Sequence, residues 1–202
     1  MTDLPDAANF PEPIEWHPSP AEGVAMNVAG AVLGLAGVIG FGLLWAQAQR
    51  VESMTFTFGA AELVGLLVMI GVVALLLVAH EALHGVAMLP YGARPRFGAA
   101  MMAKVVPVVY CTAPGHIFTR GQFAVVALAP FLVLNVVLGA AIAWTPFGGW
   151  LVLPAAVHLS GCVGDLYLFL RAIRRPAGDG IEDLPTGQRY HPEHFVPATH
   201  TN

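Results

Sequence analysis

The chain has 202 residues, 56% hydrophobic and 11% charged, with a net charge of −4. A soluble domain carries about 25% charged residues, so composition sets aside the one or two soluble domains that this length would otherwise allow. Acidic residues outnumber basic ones, no basic stripe is interleaved with aromatics, and nucleic acid is therefore not expected as a partner; two cysteines, Cys111 and Cys162, make no disulfide framework.

Met1 to Gly23 is acidic, proline-rich and free of Lys and Arg. It lacks the basic start of a secretory signal and reads as a disordered tail. The first apolar run, Val24 to Ala48, is therefore expected to remain in the mature protein. Three more follow, roughly Gly59 to Leu89, Gln122 to Trp144 and Trp150 to Ala172. Each exceeds the ~20 residues that cross a hydrocarbon core. In lipid such runs must be helical, because the backbone can satisfy its hydrogen bonds only internally. The expected fold class is an all-α membrane protein: four transmembrane helices forming one domain over residues 24–175, with a short β-like element in the central loop. In the first run Gly30, Gly34 and Gly37 share one helical face and would let another helix approach closely.

The second run carries His80-Glu81-Ala82-Leu83-His84. Two histidines four positions apart lie on one helical face, one turn apart, which is the spacing that lets two imidazoles share one zinc ion. Glu81 is displaced by about 100° and is placed to take a proton from a water at the metal. Ionisable groups are costly inside a membrane, so each marks a functional site by default. A chance match to this pattern in a chain of this length is an event on the order of 1%.

The central loop contains Val105-Val106-Pro107-Val108-Val109-Tyr110, a β-prone run broken by proline, which confines such a strand to a sheet edge or bulge. An edge strand beside a protease site can pair with an extended peptide; the competing reading is an interfacial loop that packs under the helices. In the third run Pro130 should kink the helix, and Asn135 could hydrogen-bond a substrate backbone or a neighbouring helix.

A catalytic zinc requires a third protein ligand, and the fourth run supplies the best candidate. Asp165, in Gly161-Cys162-Val163-Gly164-Asp165, is its acidic residue. Counted from the ends of their helices, Asp165 and the His-Glu-x-x-His motif both lie about 10 Å below the same interface, and Gly161 and Gly164 would let the two helices approach. The alternative is that Asp165 pairs with Arg171 or with a bundle hydrogen bond. His158, two turns before Asp165, sits about 10 Å further from that interface and reads as a hydrogen-bonded bundle residue. Cys162 reads as an apolar filler, and His116 is a weaker ligand candidate from the loop. Pro176 to Asn202 is polar and reads as a second disordered tail, with His191 and His194 outside the site.

Positive charge sets the expected orientation. Arg94, Arg96, Lys104 and Arg120 follow the second helix, and Arg171, Arg174, Arg175 and Arg189 follow the fourth. Only Arg50 follows the first and none the third. The positive-inside rule puts the central loop and both termini in the cytoplasm of a multi-pass cell-membrane protein.

His80-Glu81-Ala82-Leu83-His84-Gly85 at the end of an apolar helix, with Gly164-Asp165 in a later one, resembles the putative zincin peptidases, small membrane proteins distantly similar to the site-2 proteases. The resemblance spans roughly Gly59 to Ala172, with Ala129-Pro130 and the strand-like loop. It implies Zn2+ on His80, His84 and Asp165 and Glu81 as catalytic base; it does not supply the substrate, which the location of the site in the membrane leads us to expect is a membrane protein or peptide. The competing readings are a metal-binding scaffold without activity, a haem protein and a divalent metal transporter.

Overall fold

The computed structural model describes residues 11–52, 59–102 and 106–194. Lys104, Val105 and the outermost parts of the two expected tails lie outside them. Four helical segments are long and apolar enough to cross a membrane. The first is α1, Pro20–Ala48. It begins where Ser19 can cap it: the Ser19 hydroxyl accepts from the Glu22 N–H, and the Glu22 carboxylate accepts from the Ser19 N–H, with Pro20 supplying a first-turn residue that needs no hydrogen bond. The second is α2, Ala60–Met88, closed by a single 3-10 turn at Leu89–Tyr91. The third is α3, Arg120–Trp144, started by an equivalent Thr119–Gln122 capping box and running through Pro130. The fourth is two helices, α4 (Gly148–Gly161) and α5 (Val163–Ile173), joined at Cys162.

Leu63, Val64, Leu66, Leu67, Val68, Ile70, Leu75 and Val78 of α2 all stand exposed. An apolar surface of that extent is matched by lipid and not by water. The glycine face of α1 packs as the sequence indicates. A Cβ on Gly30 or Gly34 would meet Ser160, and one on Gly37 would come within 3.0 Å of the Ala156 Cα. The Ser160 hydroxyl donates to the Gly30 carbonyl at 2.8 Å, so the missing side chains permit both the approach and the bond that uses it.

The β content exceeds the single element expected. In the central loop β2 (Arg96–Met102) and β3 (Val106–Thr112) form an antiparallel pair, so the β-prone run does become a strand. A second sheet has the order β1 (Ile14–Trp16), β6 (Gly187–His191), β5 (Gly180–Leu184), β4 (Ile117–Phe118). Three of its strands, β1, β5 and β6, come from the two segments that the sequence assigns to disordered tails, and this corrects that expectation for the described residues. The physical reason is tertiary. Arg189 is paired with both Glu15 and Glu182, Arg171 lies over the Trp16 ring at 3.8 Å, and Arg175 lies over the Tyr190 ring at 4.6 Å. Beneath the sheet Met88, Phe118, Phe123, Ile181 and Tyr190 form one buried cluster. A second, of Leu134, Leu138, Ile142 and Ala155, holds α3 against α4.

Candidate active site

Three helices converge on His80 and His84. Both lie on the buried face of α2, one turn apart, with Nε2 atoms 3.2 Å apart. Asp165, in the first turn of α5, places Oδ2 at 2.9 Å from His80 Nε2 and Oδ1 at 3.4 Å from His84 Nε2. The sequence-derived trio is therefore brought together. Glu81 lines the same cavity one step around α2, and the Cys111 backbone N–H of β3 faces its carboxylate.

The trio suits a metal ion on two grounds. Oδ2 of Asp165 is buried and, despite its nearness to His80 Nε2, meets no donor in hydrogen-bond geometry. A buried carboxylate oxygen in that condition is costly unless a cation satisfies it. Moreover, the three donor separations approximate the ~3.3 Å edge of a tetrahedron with bonds of ~2.0–2.1 Å.

A second group, His80, His158 and Cys162, also falls within 4.8 Å. Its members are engaged otherwise. Cys162 Sγ donates to the His158 carbonyl at 3.2 Å, and His158 Nε2 lies 3.2 Å from His80 Nδ1. With Nε2 given to a metal ion, His80 would carry its proton on Nδ1 and donate it to His158. His158 is thus a hydrogen-bonded bundle residue, as its sequence position indicates. Its expected separation from the site is corrected, however. Its side chain reaches the motif, with Nε2 3.2 Å from His80 Nδ1, on α4 just before the interruption at Cys162.

His84 is held from α3: its Nδ1 donates to the Val126 carbonyl at 2.9 Å. Gly85 keeps the loop close, because a Cβ there would lie 2.8 Å from the Phe97 ring and 3.4 Å from Cys111 Sγ. The remaining candidates lie apart. His116 packs against Phe118 with ring centroids 4.4 Å apart and planes tilted by 60°. Asn135 donates to the Phe131 carbonyl of its own helix. His191 contacts Glu182 at 3.2 Å.

The cavity has a volume of about 160 Å³. At ~30 Å³ per water that is the volume of about five waters, enough for an ion with its waters. Val109, Tyr110, Cys111 and Thr112 line it in succession. Since alternate side chains of a strand face opposite ways, a run of four marks a strand that offers its edge.

Asp183 of β5 lines the same cavity and was not legible as a site residue. Burial raises its carboxyl pKa to about 8; the His84 charge opposes this, and the Asp165 and Glu81 charges add to it. Burial likewise pushes the Cys111 thiol up to about 12, with help from Glu81 and Asp183, so it stays a neutral thiol. The one sequence cue for the Asp183 strand is Leu184-Pro185-Thr186-Gly187, a turn signal between two short runs.

The family described as putative zincin peptidase matches residues 73–179, more than half of the chain. That stretch contains His80, Glu81, His84 and Asp165 and stops before Asp183. No curated protein and no solved structure matches.

Proposed function

Because the chain belongs to the putative zincin peptidase family, we propose that it is a zinc-dependent, site-2-protease-like intramembrane peptidase that hydrolyses membrane proteins or peptides near the cytoplasmic face. The carrying observation is the buried Asp165 oxygen without an aligned donor, facing two histidines one turn apart, with Glu81 in the same cavity. His80, His84 and Asp165 would hold the zinc. When bound, the ion supplies Lewis-acid polarisation of a carbonyl and lowers the pKa of water toward neutrality.

The chain's own groups then divide the work. Glu81 accepts the proton of the attacking water and returns it to the leaving nitrogen. His158 and the Val126 carbonyl hold the two imidazoles with Nε2 toward Asp165. A helical amide is shielded by its own turn, so a substrate must unwind before it can react. The β3 edge supports pairing with the unwound stretch as an added strand, and a cavity of about 160 Å³ admits little more than the reacting unit. Arg94, Arg96 and Lys104 in the central loop with Arg120 at the start of α3, and Arg171 in the last turn of α5 with Arg174, Arg175 and Arg189 beyond it, favour a cytoplasmic location for both.

The test is hydrolysis of quenched-fluorophore apolar peptides by purified protein in detergent, wild type beside Glu81→Gln. Glu81→Gln is expected to keep its zinc and lose ~10²–10⁴-fold in rate. Wild type that binds zinc and cuts none of the peptides would favour a non-catalytic scaffold. Activity undiminished in Glu81→Gln would contradict the assignment of the base.

A further inference from the structure

Pro130 lies inside α3. In an α-helix the N–H of residue 130 would donate to the carbonyl of residue 126. Proline has no N–H, and its ring crowds that same carbonyl. The Val126 carbonyl therefore has no donor at its helical position. Val126 and Pro130 are both buried, and a buried carbonyl without a partner is unfavourable, the more so in a membrane. His84 fills the gap: Nδ1 lies 2.9 Å from the Val126 oxygen.

That contact decides the chemistry of the ring. A carbonyl can only accept, so Nδ1 must carry the proton. In the neutral ring Nε2 then keeps its lone pair, and it is Nε2 that faces His80 Nε2 and Asp165 Oδ1. An N–H at position 130 would compete for the same oxygen and draw it back into the helical ladder.

We propose that Pro130 is a positioning residue: by withholding a backbone N–H it reserves the Val126 carbonyl for His84, and so sets which ring nitrogen His84 offers. Its consequence for affinity rests on the zinc reading above; the hydrogen bond itself does not.

The experiment measures zinc affinity of the full chain in detergent by competition with a chromophoric chelator. Pro130→Ala is expected to bind ~10–100-fold more weakly, the usual effect of losing an outer partner of a metal-bound histidine. Pro154→Ala, which restores an N–H inside α4, is expected to bind like wild type. Placing lactic acid at position 130 gives the alanine side chain with an ester in place of the N–H, and should restore affinity. In wild type without metal and with the ring in its neutral form, ¹⁵N chemical shifts of His84 should show a protonated Nδ1 and a bare Nε2. Unchanged affinity in folded Pro130→Ala, or a lactate variant as weak as alanine, would overturn the proposal. So would a His84 protonated at Nε2 alone. Wild type that binds no zinc but shows the protonated Nδ1 would sink the zinc reading and leave the positioning role standing.

Discussion

His80 Nδ1 and His158 Nε2 lie 3.2 Å apart across the junction of α2 with the broken fourth helix. The contact gives His158 a task that its distance from Asp165 along the sequence does not suggest. His158→Leu leaves the His80 Nδ1–H without its acceptor and frees the ring to change tautomer. Zinc affinity is expected to fall ~10-fold or more. His158→Gln, which retains an acceptor, should recover part of it. Equal affinity in wild type and His158→Leu, measured by chelator competition, would remove His158 from the account.

Asp183 should make the metal-free protein less stable as pH rises. Its folded-state pKa, about 8, lies above the ~3.9 of an unfolded aspartate. The folded chain then holds a proton that the unfolded chain has lost, and stability declines between pH ~4 and ~8. Glu81, His84 and Asp165 are the charges that act on it. Asp183→Asn should raise the Tm in detergent at pH 8 and leave it unchanged near pH 4. A Tm difference that does not vary with pH would contradict this.

Glu182 acts in the opposite sense. Burial raises its pKa, but hydrogen bonds from the Gly115 N–H, Arg189 and His191 outweigh burial and hold it below the usual carboxylate value. A depressed carboxylate stabilises the fold above its unfolded pKa of ~4.3 and loses that contribution as pH falls through the lower folded value. Glu182→Ala, which strands these donors, should cost ~1–3 kcal/mol at pH 7. Its Tm should converge on that of wild type in acid.

The α1–α4 contact is tight at Gly37, where a Cβ would lie 3.0 Å from the Ala156 Cα. Gly37→Ala should destabilise by ~1–3 kcal/mol through overpacking. Gly40→Ala meets nothing within 4 Å and should be neutral or gain ~0.5–1 kcal/mol from helix propensity. Thermal unfolding of the two variants side by side reads the difference.

Four spans were legible because lipid leaves the backbone no choice but a helix, and runs such as Gly59 to Leu89 declare themselves by length. His80, Glu81 and His84 were legible from spacing alone. Asp165 could be found because two helices read in the same direction place residues at comparable depth. The interruption at Cys162 was not legible, because neither neighbouring glycine requires one, and a depth counted along the helix axis does not show how far the His158 side chain reaches. Asp183 was hidden for another reason. Gly180–Leu184 and Gly187–His191 are too polar to suggest a core. Their order comes from partners distant in sequence, Glu15 and Trp16 at one end of the chain and Arg171 and Arg175 before the strands.

The central claim is that His80, His84 and Asp165 form one zinc site, and zinc content of the purified, folded protein tests it most directly. Wild type should carry about one zinc per chain, and His80→Ala and Asp165→Ala should each lose it. Folded wild type that takes up no zinc, or variants that keep it, would contradict the account.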